Sequence, residues 1–427
     1  MIDLRRLRQD PEASRASLAR RLDPSVLHQV DRVLELDRAC RESRTRLESL
    51  TAERNRASGE VARRKKSREP ADDLLARLKA SGEEEKALQA QVRELESERD
   101  AALMLLPNFP LDHVPDGAAA ANRVVRTWGE RPAFDFVPRP HWELGGELGI
   151  LDLAAGAKIA GSGFPLLRGM GARLSRALAN FMLDLHTREH GYLEIAPPYL
   201  VNRASMTGTG QLPKFAEELY TVTADDLYLI PTAEVPVTNI HREEILDGAA
   251  LPVAYCAWTP CFRREAGAHG KDTRGLIRVH QFDKVELVRF VRPADSPAEH
   301  ELITHHAEAV LQRLELPYRV VELAAGDTGH ASARTFDLEV WAPGVGAWLE
   351  VSSASTFTDY QARRANIRHR PEPAAKPEFV HTLNASGVAF PRCIIALLEH
   401  HQAADGSVRI PDALVPYVGV PRLGPPA

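Results

Sequence analysis

Four short segments carry side chains whose types and spacing could do chemistry on an anionic substrate. The first is CFRREAGAHGKDTRGLIRVHQFDKVELV, from Cys261 to Val288: a strand-like run, a polar stretch with Gly267, Gly270 and Gly275, and a second strand-like run. Glycines let a backbone approach a ligand closely, and Lys271, Arg274 and Arg278 add positive charge, so the pattern suits an anion. Arg263 and Glu265, two apart on a predicted strand, would face the same side, where a guanidinium could meet a phosphate and a carboxylate an amine. A surface ion pair would use the same two letters. The second segment, Pro231-Thr232-Ala233-Glu234, sets a hydroxyl and a carboxylate beside a strand end.

In the third, Trp348-Leu-Glu350-Val-Ser352-Ser353, the period of two predicts Glu350 and Ser352 on one face and Ser353 on the other. Carboxylate and hydroxyl oxygens are hard ligands suited to Mg²⁺ with ATP, although an N-cap and solvent-facing strand residues would account for them too. The fourth, HTLNASGVAFPRCIIALLEHHQ from His381 to Gln402, reads as a small-residue turn entering an amphipathic helix after Pro391. Arg392 would then stand at a helix N-terminus, where the macrodipole favours anions.

Such segments need a scaffold. Helical spacing from Ala172 to His190 precedes strand-like runs at Leu227 to Ile230, Val253 to Arg264, Phe282 to Val288, Tyr318 to Val321, Phe336 to Trp341 and Trp348 to Ser352. Loops rather than helices separate several of them, which favours an antiparallel sheet in an α+β domain over alternating βαβ units. Gly169-Met-Gly171 has no third glycine at the dinucleotide-fingerprint offset and reads as a turn entering a helix.

The chain before this domain has another texture. From Pro24 to Leu106 it is rich in Glu, Arg, Lys, Ala and Leu and nearly free of glycine. Val26, Val30, Val33, Leu34, Leu47 and Leu50 form one apolar stripe; Leu74, Leu75, Leu78, Leu88, Val92 and Leu95 form another. Ser67-Arg-Glu-Pro70 separates them, since a proline can open the second helix but not continue the first. The prediction is a long antiparallel helical hairpin, a coiled-coil arm on the order of 50 Å from helices of roughly 30 to 40 residues. Arg54, Arg56, Arg63, Arg64, Lys65, Lys66 and Arg68 cluster near its tip, which reads either as a solvated face or as a finger for RNA phosphates. Pro107-Asn-Phe-Pro110 ends the arm. The expected boundaries are an arm over residues 1–110, a linker over 111–139 and a catalytic domain over 140–427.

With 427 residues the chain exceeds what one core supports, and 44% hydrophobic and 26% charged residues exclude general disorder. A formal net charge of −5 confines any nucleic-acid contact to local basic surface. Cys40, Cys256, Cys261 and Cys393 form no CxxC and no zinc-finger spacing, so neither a disulfide framework nor structural zinc is expected. Acidic residues in the first ten positions and the lack of an apolar run argue against a signal peptide, and no 18-residue apolar stretch occurs. A cytoplasmic protein without a membrane partner is expected.

In this order the four segments resemble class II aminoacyl-tRNA synthetases, and their wording resembles the bacterial-type seryl-tRNA synthetase family. Phe262-Arg-Arg-Glu265 looks like motif 2, Gly387 to Arg392 like motif 3, and Gly191-Tyr-Leu-Glu through Pro197-Pro-Tyr-Leu-Val-Asn202 like the dimer-forming motif 1. Gly208 to Phe215, Pro231 to Glu234, Asp272 to Ile277 and Thr358 to Arg364 are similar to seryl-enzyme signatures. The resemblance implies serine-binding roles for Thr232, Glu234, Glu286 and Ser386. It implies ATP contacts for Arg263, Glu265 and Arg392, which are also the catalytic candidates, and an ATP and Mg²⁺ site at Glu350 and Ser353. It assigns tRNA to the arm, with Arg54, Arg63, Arg64, Lys65 and Lys66 as contacts. The implied reaction is ATP-dependent activation of L-serine and its transfer to tRNA(Ser), with tRNA(Sec) open as a further substrate, by a homodimer. HIGH-like, KMSKS-like and Rossmann signatures are absent, which sets aside class I, and zinc ligands of the archaeal seryl type are not evident.

Three departures from family wording are Ala385, Thr356-Phe357 and Gly163. They leave open a specialised second copy linked to antibiotic biosynthesis or resistance. A serine:carrier-protein ligase would lack the arm, and a non-catalytic RNA-binding paralogue would have lost the ATP ligands.

Overall fold

The fold was obtained as a computed structural model, which describes residues 1–266 and 274–424. Gly267, Gly270, Lys271 and the start of the Asp272 to Ile277 signature therefore lie outside the described residues. The chain forms two compact units, one of Ile2–Ala19 with Asp23–Pro107, the other of Met1, Arg20–Leu22 and Asn108 onward.

The first unit is all helix: α1 (Leu4–Gln9), α2 (Pro11–Ala19), α3 (Pro24–Lys66) and α4 (Asp72–Met104). The Asp23 side chain caps α3 by accepting from Ser25 N, and Pro24 occupies its first position, where a missing N–H costs nothing. At 43 residues α3 exceeds the predicted length and spans roughly 65 Å. The stripes differ in detail from the prediction: Val26, Val30, Val33, Leu36, Leu74, Leu88 and Val92 are buried, whereas Leu75, one residue around the helix from Leu74, is exposed. Helices α1 and α2, which the sequence did not suggest, bury Leu7 and Leu18. Buried Asp37 on α3 accepts from Arg8 at 2.7 and 2.9 Å and from Arg41 at 3.0 Å. Burial pushes its carboxyl up, but the two guanidinium groups outweigh that and hold it below the usual carboxylate value.

The second unit is built on an eight-stranded sheet of β1 (Arg123–Trp128), β2 (Leu193–Glu194), β3 (Val253–Phe262), β4 (Gln281–Val291), β5 (Tyr318–Glu322), β6 (Arg334–Ala342), β7 (Ala347–Thr356) and β8 (His381–Ala389), in the order β1-β5-β6-β7-β8-β4-β3-β2. Every neighbouring pair is antiparallel except β2 with β3. Side chains alternate across it: Val285, Leu287, Phe336, Leu338, Leu383 and Ala385 join one apolar core with helices α6 (Met170–Arg188), α7 (Ser296–Arg313) and α8 (Phe390–His400). Lys284, Glu286, Asn384 and Ser386 take the opposite parity, and that face carries the site. A further helix, α5 (His141–Glu147), contacts α8.

Four expectations need correction. The stretch 111–139 is not only a linker, because it supplies β1, which pairs with β5 at the sheet edge and stacks Trp128 on Tyr318. Arg263 and Glu265 do not share a strand face: β3 ends at Phe262, and Glu265 adopts a positive φ of 49°. Glu350 pairs with Glu339 and Ser352 with Leu338, so Val351 is a bulge residue. The bulge reverses the alternation and puts Glu350 with Ser353, not with Ser352. Finally, the small-residue stretch before Pro391 is strand β8, held between β4 and β7.

Candidate active site

The polar sheet face opens into two adjoining cavities that share Arg263, Lys284, Glu350 and Ser386. The larger, with about 300 Å³ of room, is lined by Thr232, Glu234, Asn384, Ser353 and Ser355 among others. Its floor is a hydrogen-bonded cluster assembled from segments far apart in the chain. Register sets Glu286 on β4 directly opposite Ser386 on β8. Thr232 Oγ1 donates to Glu286 Oε2 at 3.1 Å. Lys284 Nζ donates to Thr232 Oγ1 at 3.0 Å and to Ser386 Oγ at 3.2 Å, and pairs with Glu286. Asn384 Nδ2 bridges the two carboxylates, 3.1 Å from Glu234 Oε2 and 3.0 Å from Glu286 Oε1. Gln361 Nε2 donates to Glu234 Oε1 at 2.5 Å and is itself fixed by Thr382, whose hydroxyl donates to Gln361 Oε1 at 2.7 Å.

Glu234 stands at the N-terminus of a short helix, Glu234–Thr238, and is buried. Burial, and then the neighbouring charge of Glu286, push its carboxyl up to about 7. A buried carboxylate with so high a proton affinity is poised to receive a cation, and the adjacent hydroxyls and Lys284 offer hydrogen bonds to a small polar group.

The second cavity is lined by Leu276, Val279, Phe282, Pro391 and the side chains of Arg263 and Arg392. Arg263 Nε donates to Pro231 O at 3.3 Å, and the guanidinium lies 5.2 Å from the Phe282 ring centroid. Glu265 pairs with Arg278. Arg392, near the start of α8, donates to Glu350 O at 2.6 Å, Glu350 Oε2 at 3.1 Å and Ile277 O at 3.2 Å. An apolar slot bordered by guanidinium groups has the character of a nucleotide site.

The residues singled out in the catalytic region thus converge: Thr232, Glu234, Glu286 and Ser386 in one cluster, Arg263, Glu265, Glu350, Ser353 and Arg392 around the adjoining space. Lys284, Asn384 and Gln361 were not singled out, although Lys284 shares strand parity with Glu286. Of the departures, Ala385 lies on the apolar face and Gly163, at φ +80°, packs against His280 so closely that a Cβ would sit 2.5 Å from it. Phe357, in contrast, lines the larger cavity. In the helical unit, Arg63 and Arg64 pair with Glu60, Arg64 also reaches Asp73, and Arg54 pairs with Glu85. Lys65 and Lys66 are exposed and make no ion pair among the described residues.

The oxygen donors Glu350 and Ser353 fit a hard cation. Asp337, directly across from Ser353, has an Oδ1 that is buried without a hydrogen-bond partner among the described residues. Burial and then the neighbouring Glu350 raise its carboxyl well above the usual range.

Comparison with known proteins follows the same division of the chain. Residues 1–110 match the family model of the seryl-tRNA synthetase N-terminal domain, and residues 220–401 that of the tRNA synthetase class II core domain (G, H, P, S and T). The chain is 58% identical to a serine–tRNA ligase of Gemmatimonas aurantiaca over 98% of this chain and 99% of that one. It is 51% identical to one of Carboxydothermus hydrogenoformans over 99% of each. A crystal structure of seryl-tRNA synthetase from Pyrococcus horikoshii complexed with ATP superimposes with a TM-score of 0.96 at 40% identity, covering all of both chains. A cytoplasmic serine–tRNA ligase of Naegleria fowleri in complex with AMP gives 0.87 at 33% identity, covering 98% of this chain and 96% of that one. The chain belongs to the seryl-tRNA synthetase family, within class II of the aminoacyl-tRNA synthetases.

Proposed function

We propose that this protein is an ATP-dependent serine–tRNA ligase, with residues 1–110 as the tRNA-binding part and the sheet domain as the catalytic part. The observation that carries the reading is the cluster of buried Thr232, Glu234, Lys284 and Glu286 with half-buried Asn384 and Ser386 beside the Arg263 cavity. Serine presents an ammonium, a carboxylate and a small hydroxyl. Glu234 receives the ammonium, while Thr232, Glu286 and Ser386 recognise the hydroxyl. A site whose buried polar groups depend on a substrate hydroxyl rejects alanine strongly, because those groups would be left unpaired.

In the first step a serine carboxylate oxygen attacks the α-phosphorus of ATP, forming seryl-adenylate as the bond to pyrophosphate breaks. The nucleophile belongs to the substrate, so the protein needs to supply position and positive charge rather than a base. Arg263 faces the charge gathering on the α-phosphate, and the slot of Val279, Phe282 and Pro391 takes the purine. Glu350 and Ser353 would hold Mg²⁺ with the ATP phosphates, where the ion offsets phosphate charge. In the second step a terminal ribose hydroxyl of tRNA(Ser) attacks the seryl carbonyl and AMP leaves; tRNA(Sec) is a second candidate acceptor.

A homodimer is supported by Leu193, Tyr199 and Leu200 in the motif 1 region, which are 61%, 46% and 44% exposed. No helix among the described residues is long and apolar enough to cross a membrane; a cytoplasmic location is part of the proposal, since ATP and tRNA are the substrates it assigns. Serine-dependent exchange of pyrophosphate into ATP, followed by charging of total tRNA, tests the proposal. Lack of exchange with serine would overturn it, and exchange without tRNA charging would favour a carrier-protein ligase.

A further inference from the structure

Behind the nucleotide cavity lies a buried pair with no place in the chemistry above. His141 on α5 and Glu399 near the end of α8 are both fully buried. Glu399 Oε1 accepts from His141 N at 2.9 Å and contacts His141 Nδ1 at 2.8 Å. Its Oε2 accepts from Gly344 N at 2.8 Å and Val345 N at 3.1 Å. Across the ring, Leu276 N donates to His141 Nε2 at 3.0 Å. Gly275, at φ +66°, makes room for this contact, since a Cβ there would lie 2.2 Å from Nε2.

The partners assign the tautomer. A backbone N–H can only donate, so Nε2 must be bare, and the ring's proton sits on Nδ1, directed at the carboxylate. Leu276 and Ile277 both line the nucleotide cavity. Ile277 O accepts from Arg392 at 3.2 Å, and Arg392 lies in the first turn of the helix whose last turn holds Glu399. Two successive backbone groups of the cavity wall are therefore gripped from the two ends of α8, one directly by Arg392 and one through His141.

We infer that His141, oriented by Glu399, is a positioning residue that sets the Leu276–Ile277 wall of the nucleotide cavity and so tunes affinity for ATP rather than for serine. Among the described residues the hydrogen bonds of Leu276 N and Ile277 O go to His141 and Arg392 and not to the serine cluster. This rests on the assignment of that cavity to ATP, which the wild-type enzyme tests by itself through serine-dependent exchange. With exchange established, His141→Ala leaves the Leu276 N–H unpaired in the interior, and the KM for ATP should rise roughly tenfold while the KM for serine stays within about twofold. His141→Gln should recover most of the loss, because its amide oxygen can accept where Nε2 did. An unchanged KM for ATP in folded His141→Ala, an equal rise in both KM values, or no recovery with glutamine would overturn the inference. Should His141→Ala fail to fold, nitrogen-15 spectra of histidine-labelled wild type decide instead, with the His141 resonance identified by its loss in His141→Gln. A bare Nε2 with Nδ1–H is expected, and a proton on Nε2 would refute the arrangement.

Discussion

Glu234 makes the pH dependence of serine use a direct probe of the pocket. Its carboxyl, raised from 4.5 to about 7 by burial and Glu286, is half ionised near neutrality in the serine-free protein. The ionised fraction falls from roughly 90% at pH 8 to roughly 10% at pH 6, while serine's ammonium stays charged. If the carboxylate is the ammonium's partner, kcat/KM for serine in pyrophosphate exchange at saturating ATP should fall about tenfold between those pH values. Glu234→Gln should lower kcat/KM throughout and remove the inflection. The same residue acts on stability with a definite sign. Because the folded state binds this proton more tightly, the favourable contribution is full below about pH 4.5 and is lost as pH rises through about 7. The ionised form carries a penalty of up to about 3 kcal/mol, so Glu234→Gln, whose amide can pair with Gln361 and Asn384 after amide flips, should melt higher than wild type at pH 8 and not at pH 5. A flat wild-type profile from pH 6 to 8, or an unchanged inflection in the glutamine variant, would refute the assignment of Glu234 to the ammonium.

Arg263→Ala should reduce serine-dependent exchange by on the order of 10²- to 10³-fold with an unchanged melting temperature; near-normal exchange would remove Arg263 from the α-phosphate. Deleting residues 24–106 should spare exchange and abolish tRNA charging, and intact charging would show that the arm does not grip tRNA. Replacing Lys65 and Lys66 with alanine should flatten the salt dependence of tRNA binding by roughly 0.7 to 0.9 in logarithmic slope per lost phosphate contact. Arg54→Ala should change it less, since that guanidinium is already neutralised by Glu85. Light scattering should give twice 47.2 kDa, and the single value would contradict the dimer.

What could be read from the sequence was whatever depends on local period. The apolar alternation of β4 and β6, the proline-opened α8 and the long stripes of α3 and α4 all follow from spacing within one segment. The misreadings have non-local causes. Asn384, Ser386 and Gly387 have poor strand propensity and suggested a turn, but pairing with β4 along β8 and with β7 at Leu383 to Ala385 overrides propensity in the middle of a sheet. The bulge at Val351 is defined only against β6, so the alternation of β7 alone predicted the wrong partner for Glu350. Lys284 is the sharpest case. In Phe-Asp-Lys-Val-Glu it reads as an exposed strand residue, yet its neighbours Thr232 and Ser386 lie 52 and 102 positions away. Only the sheet order brings them together. Burying that ammonium is tolerable because Glu286 and two hydroxyls satisfy it. Glu286 and the two hydroxyls therefore restrain Lys284 together: removing Glu286 would leave that buried ammonium without its ion-pair partner, so the pocket's shape and its electrostatics should fail together rather than by increments.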